Sequence, residues 1–98
     1  MLTAEDFAKL GFWEDTTPEE NITIYGMDFA AAYVTLTDAD GKTPVDAKKP
    51  LIMAAYDDDS SFLWFREFKD FKALTEVCAK AEAESEELLA LLEQGSAK

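Results

Sequence analysis

The chain has 98 residues, of which 48% are hydrophobic, and its 21 acidic and 9 basic side chains give a net charge of −12. This length predicts a single domain spanning residues 1–98, and the apolar content excludes a disordered chain. The acidity disfavours direct binding to nucleic acids or to anionic membranes, because like charges repel.

The lack of histidine and the single cysteine restrict the possible chemistry further. The chain has no histidine, the commonest general base, and Cys78 is its only cysteine, so no intrachain disulfide can form. Residues 1–6 lack the basic and apolar regions of a secretory signal, and no apolar run reaches the length of a membrane span. The sequence therefore predicts a cytoplasmic protein that does not enter a membrane.

The first predicted element is a short helix over residues 3–10. Thr3 is suited to the N-cap, and Asp6 stands three residues later, where a capping box places an acceptor. Gly11 is the predicted end of this helix. The residues that follow, Phe12 and Trp13, are expected to fold back onto an apolar surface, and residues 17–20 predict a single helical turn.

Four strands are predicted next, at residues 21–26, 29–37, 51–56 and 62–68. Asp40 and Gly41 indicate a turn with positive φ after the second strand. No helix separates the four strands, so they predict an antiparallel meander.

A long helix is predicted over residues 70–94, where apolar residues recur at helical spacing. Asp70 is the predicted N-cap. The polar stretch 82–87 thins the apolar stripe, so a bend or fraying is expected near Ser85, and residues 95–98 predict a loose tail. The predicted fold is α+β: a four-stranded antiparallel meander with a short N-terminal helix and a long C-terminal helix packed on one face.

Acidic turns and the cysteine have a functional and a structural interpretation each. The carboxylates of residues 38–41 and 57–59 could bind a divalent cation, but turns of this composition are common, and a structural role is predicted. Cys78 lies in the apolar stripe with no histidine to activate it, so it is predicted to be a core residue. The sequence shows no catalytic motif and predicts no enzyme activity, metal or cofactor.

The stretch 61–66 carries apolar residues on both faces of a strand, so it needs cover on both sides. One assignment places a first set in the core: Ile22, Ile24, Ala32, Val34, Met53, Ala55, Leu63 and Phe65. The opposite face then carries Thr35 and Ile52 together with a predicted interface of Tyr25, Tyr33, Tyr56, Trp64 and Arg66, the residue types that dominate interface hot spots. A one-residue change in the loop 57–61 would exchange the faces of the last strand.

Two kinds of cover stay open for this second face: the N-terminal residues 3–13, or a homodimer or protein partner. The favoured function is a non-enzymatic protein-binding or regulatory module that acts through the aromatic face. One alternative is an inhibitor that mimics nucleic acid, with carboxylates on the long helix at Glu76, Glu82, Glu86 and Glu93. Another is a small-molecule site between helix and sheet, beside Ala30, Ala32, Ala54 and Ala55.

Overall fold

The computed structural model describes residues 1–17 and 21–98, so the turn predicted at 17–20 lies almost wholly outside the described residues. Within the described residues, eight elements follow one another: α1 (Ala4–Ala8), β1 (Trp13–Thr16), β2 (Thr23–Asp28), β3 (Tyr33–Asp38), β4 (Leu51–Tyr56), β5 (Phe62–Phe68), α2 (Phe71–Cys78) and α3 (Glu86–Gln94).

The sheet is an antiparallel meander in the order β1-β2-β3-β4-β5. The α+β class and the antiparallel sheet are confirmed, but the sheet has five strands where four were predicted. The additional strand, β1, is Trp13-Glu14-Asp15-Thr16, and all four residues are exposed. It lacks the apolar alternation that reveals a strand in a sequence, and its pairing with β2 is what makes it one.

Helix α1 begins after its predicted cap, Thr3, but it ends at Ala8, before the predicted end at residue 10. The Thr3 backbone N–H donates to Asp6 Oδ2 at 2.8 Å, which is one half of the capping box. Gly11 follows the helix with φ +98°, a conformation that side chains with a Cβ rarely adopt. Helix α1 and the turn at Gly11 place Phe7 in the core, where it is completely buried.

The long C-terminal helix predicted over 70–94 is wrong: the segment forms two short helices joined by residues 79–85. Asp70 caps α2 by accepting from the Ala73 N–H at 2.9 Å, and the Ser85 hydroxyl caps α3 by accepting from the Leu88 N–H at 3.1 Å. Between the two helices, Glu84 adopts a left-handed backbone conformation with φ 65°. A continuous helix of residues 71–94 would be about 36 Å long, whereas the largest dimension of the molecule is 30 Å. Breaking the helix keeps both halves over the sheet.

The helices α1, α2 and α3 pack on the same face of the sheet and form one core with it. Leu74 and Leu88 are completely buried there, and the Phe7 ring stacks on Tyr25 with centroids 4.0 Å apart. The strand residues on this helix-covered face share one register across β2 to β5: Tyr25, Met27, Val34, Leu36, Leu51, Met53, Ala55, Trp64, Arg66 and Phe68.

Backbone hydrogen bonds hold the irregular segments to this frame. In the loop 39–50, the carbonyl of Val45 accepts from Leu2 N–H at 2.9 Å, and the carbonyl of Ala47 accepts from Phe71 N–H at 3.0 Å. Near the C-terminus, where a loose tail was expected, Ala97 exchanges two hydrogen bonds with Phe65, at 2.8 and 2.9 Å. The loop thereby ties the starts of α1 and α2 together, and the tail covers part of the outer edge of β5.

Candidate functional site: the open face of the sheet

The second face of the sheet has no helix of the described chain packed on it, and we call it the open face. Strand register arranges its side chains in three rows that cross the strands. The middle row is Trp13, Gly26, Thr35, Ala54 and Phe65. The upper row is Asp28, Tyr33, Tyr56 and Phe62. The lower row comprises Asp15 and Ile24 on β1 and β2, and Thr37, Ile52 and Glu67 on β3 to β5.

Aromatic rings form a continuous line on the open face. Tyr33 and Tyr56 stack with centroids 5.3 Å apart, Phe62 meets Tyr56 edge-on at 6.2 Å, and Phe65 lies 6.5 Å from Phe62. Phe62 is 51% exposed and Phe65 40% exposed. Soluble proteins rarely leave contiguous aromatic surface exposed unless it binds something.

Small side chains form the middle of the face between two large ones. Gly26 lies beneath the Trp13 ring, and a Cβ at residue 26 would approach the ring carbon Cη2 to 2.7 Å. Thr35 and Ala54 continue the row towards Phe65. The face is therefore a shallow dish with Trp13 and Phe65 at opposite ends of its floor, and not an enclosed cavity.

The only charged side chains in the three rows are carboxylates. Asp28 begins the tyrosine row on β2, while Asp15 and Glu67 end the lower row at the two sides of the sheet, and all three are exposed. None of the eight lysines of the chain belongs to a strand. The open face thus has an aromatic and aliphatic centre with an acidic margin.

The two edges of the sheet are poorly suited to pairing with another strand. β1 is only four residues long and carries Glu14 and Asp15, features that native proteins use to protect edge strands. At the other edge, the outward N–H and C=O of Phe65 already bond to Ala97. A partner of this sheet therefore meets its face more readily than its edges.

The predicted interface residues divide between the two faces. Tyr33 and Tyr56 lie on the open face, as assigned. Tyr25 and Trp64 are only 4% and 3% exposed and belong to the helix-covered core, so their assignment to the second face is wrong. Burial, followed by the negative charges of Glu14 and Asp6, raises the pKa of the Tyr25 hydroxyl.

Arg66 also lies on the helix-covered face, where it has a structural partner. Its Nη1 donates to the carbonyl oxygens of Leu91 and Leu92 at 3.1 Å each, and its guanidinium lies 4.5 Å from the Phe68 ring centroid. A Cβ at Gly95 would come within 2.5 Å of the Arg66 Cζ, so a glycine leaves room for the guanidinium. Partial burial lowers the pKa of Arg66. The only arginine of the chain therefore caps the C-terminal end of α3.

A β-bulge explains the exchanged faces of β5. Ala55 pairs with Trp64 whereas Tyr56 pairs with Phe62, so Leu63 has no partner in the ladder. The bulge moves Phe62 to the open face, and beyond it the alternation places Trp64 in the core and Phe65 on the open face. Phe62, Phe65 and Trp13 are the site residues that the sequence analysis missed. Strict alternation gave no signal for Phe62 and Phe65, because both faces of β5 are apolar, and none for Trp13, because β1 has no apolar alternation.

Of the two kinds of cover predicted for the second face, the N-terminal residues provide little. The N-terminal segment does not close it, because Phe7 and Phe12 are buried in the core on the helix-covered face. Trp13 alone of residues 3–13 has its ring against the open face, over Gly26, and it is 37% exposed. Self-association or a partner protein therefore stays the prediction for this face.

The cysteine and the acidic turns, for which a functional and a structural interpretation were weighed, have structural roles in the fold. Cys78 is buried in the core, and burial raises the pKa of its thiol to about 11. Asp38 and Asp57 each accept two backbone N–H groups within their own turns, at 2.8 to 2.9 Å. Within residues 1–17 and 21–98, no group of three metal-ligating side chains converges.

The alanines suggested to line a small-molecule site do not share one surface. Ala55 is buried under the helices, Ala54 lies on the open face, and Ala30 is exposed in the turn between β2 and β3. The carboxylates suggested for nucleic-acid mimicry are all exposed: Glu76 on α2, Glu82 in the connection, and Glu86 and Glu93 on α3.

Comparison of the chain with protein-family models, with curated proteins and with solved structures finds no match. In the described part of the chain, no helix has both the length and the apolar character needed to cross a membrane. Function is therefore inferred from the geometry of the open face.

Proposed function

We propose that this protein is a non-catalytic binding module whose open face docks onto a protein surface. The observation that carries the proposal is a line of four rings on a sheet face without a described helix, in which Tyr33 and Tyr56 are half-buried and Phe62 and Phe65 are exposed. Aromatic residues are enriched in interface cores, because they bury a large apolar area at a small cost in side-chain entropy.

The form of the face fits a protein partner better than a small molecule. Ligand pockets enclose most of the surface of their ligand, whereas Thr35 and Ala54 form the floor of a shallow dish. Tyr56 lies at the centre of its row, with Tyr33 on one side and Phe62 on the other. Central aromatic residues of this kind carry most of the binding energy at interfaces.

Site-specific photocrosslinking tests the proposal in cells that express the protein natively. The photoreactive residue p-benzoylphenylalanine is introduced in place of Phe62 on the open face and, as a matched control, in place of the exposed Lys72 on α2. We expect a discrete protein adduct from position 62 that is absent from position 72. Two results would refute the proposal: equal adducts at both positions, or an adduct from position 62 that Tyr56→Ala does not reduce.

A second proposal, nucleic-acid mimicry, draws support from one observation on the helix side. Glu76, Glu86 and Glu93 are exposed on regular helices, where their charges are held in fixed positions. A mimic would bind a basic protein with a steep dependence on salt and without regard to Tyr56→Ala. Binding that is lost on Glu76→Gln, Glu86→Gln and Glu93→Gln but survives Tyr56→Ala would favour the mimic over the open face.

A further inference from the structure

We infer that the occupant of the open face is a different protein that presents basic side chains beside an apolar surface, and not a second copy of this chain. This inference rests on the proposed function, since it names the chemistry of the partner that the same face would bind. It follows from the distribution of charge around the aromatic centre.

Charge opposes a dimer through this face. A two-fold dimer places the same patch on both sides of the interface, so the acidic margin of Asp15, Asp28 and Glu67 would meet its own copy. Each copy also brings a net charge of −12. Like charges brought together across an interface are unfavourable.

None of the residues in the three rows is basic, so none of them offsets the repulsion. Its only arginine is bound to the carbonyls of Leu91 and Leu92 on the helix-covered face. Its lysines lie in helices, loops and the C-terminal segment, at positions 9, 42, 48, 49, 69, 72, 80 and 98. The positive charge that complements the acidic margin must therefore come from another molecule.

The arrangement of the upper row favours a cationic side chain in particular. Asp28 is the register neighbour of Tyr33, and Tyr33 stacks on Tyr56. A partner arginine could lie on a tyrosine ring and donate to the Asp28 carboxylate at the same time, because its planar guanidinium combines both interactions. Apolar side chains of the partner would then cover Phe62 and Phe65. An acidic nucleic acid or an anionic membrane would instead meet like charge.

Two synthetic amphipathic peptides of equal length and leucine content serve as probes. The first carries arginine at its polar positions and the second carries glutamate. Each is titrated by calorimetry into the full chain at about 150 mM salt, where distant surface charges are screened. Amide NMR shifts then locate the bound peptide on the protein.

Three variants identify the surface that binds. The face-charge variant combines Asp15→Asn, Asp28→Asn and Glu67→Gln. The matched charge control removes three carboxylates from the helix side, by Glu76→Gln, Glu82→Gln and Glu93→Gln. The face-apolar variant, Phe62→Ser with Phe65→Ser, keeps the full charge of −12. All eight substituted residues are exposed, so the fold should be retained, and amide NMR spectra check this.

We expect the arginine peptide to bind the wild type and the charge control alike. Its affinity should fall about tenfold or more in the face-charge variant and in the face-apolar variant. The glutamate peptide should not bind. Sedimentation of the wild type should show a monomer at concentrations where the peptide complex forms.

Three results would overturn the inference alone and leave the proposed function standing: equal losses in the two charge variants, equal binding of the two peptides, or a wild-type dimer that the face-apolar variant abolishes. A face-apolar variant that binds like the wild type would refute the proposed function as well, because the aromatic centre would then have no part in binding.

Discussion

The two faces of this sheet are both apolar, yet the chain uses them differently. Under the helices, Met53 and Ala55 on β4 are completely buried, while their neighbours Ile52 and Tyr56 on the same strand are only partly covered on the open face. β5 repeats the contrast in adjacent residues, with Trp64 3% exposed and Phe65 40% exposed. Apolar character alone therefore does not identify the core of this sheet, and only the position of the helices separates the covered face from the open one.

Trp64 and Phe65 offer the sharpest test of this contrast. We expect Trp64→Ala to lower the free energy of unfolding by about 3 to 5 kcal/mol, because it empties a large volume in a packed core. Phe65→Ala should cost only about 1 kcal/mol, since its ring is already partly in water. Urea unfolding measures both values.

If Trp64→Ala fails to fold, Trp64→Phe provides a smaller change at the same site and should still cost more than Phe65→Ala. Equal losses at the two neighbouring positions would show that the faces do not differ as described, and that the helices do not determine which side of β5 is the core.

Arg66 sharpens the comparison because it lies on the helix-covered face among apolar residues. Arg66→Gln should lower the unfolding free energy by about 2 kcal/mol, the typical value of hydrogen bonds from a charged donor. The carbonyls of Leu91 and Leu92 would lose their donor, so amide exchange in α3 should speed up. Lys72→Gln, which also removes one positive charge but from an exposed site, should change stability by less than about 0.5 kcal/mol.

The ionisation of Cys78 reports how well water is excluded from the core on the helix-covered face. In the folded protein burial holds its pKa at about 11, whereas an unfolded thiol ionises near 8.5. The folded pKa is the higher one, so this contribution to stability is complete below about pH 8.5 and declines as the pH rises towards 11.

Stability measured from pH 7 to about pH 10 should therefore fall more in the wild type than in Cys78→Ala, a variant that should itself cost on the order of 1 kcal/mol. The native thiol should also react slowly with a labelling reagent at neutral pH. Rapid labelling, at the rate of an unfolded cysteine, would show that water reaches this part of the core.

The smallest effect on stability is expected at Glu84. This residue lies in the connection between α2 and α3, which lets both helices cover one face of the sheet. At its φ of 65°, a non-glycine residue costs about 1 to 2 kcal/mol, and glycine loses about 0.5 to 1 kcal/mol more entropy on folding. Glu84→Gly should therefore stabilise the protein by about 0.5 kcal/mol in urea unfolding. In a continuous helix the same change would destabilise the protein by about 1 kcal/mol. Glu82 has no positive φ, so the control Glu82→Gly should not raise the free energy of unfolding.

Much of the fold was predictable from local sequence. The bounds of β4 and β5, the caps Thr3 and Asp70, and the positive φ of Gly11 and Gly41 depend on residues within a few positions of one another. Ser85 was expected only at a bend, but its hydroxyl begins a new helix. The strand β1 was not predictable, because nothing in Trp13-Glu14-Asp15-Thr16 marks a strand until β2 pairs with it.

Of the candidate site, the sequence by itself determined that one sheet face would carry more aromatic residues than the chain can easily cover, and it placed Tyr33 and Tyr56 there. Only the tertiary structure decided that Phe62 and Phe65 join them while Tyr25 and Trp64 lie in the core. The physical reason is that alternation fixes the period of a strand but not its phase. Where both faces are apolar, the phase depends on a bulge at Leu63 and on the side from which the helices pack, and both are set by contacts between residues distant in the chain.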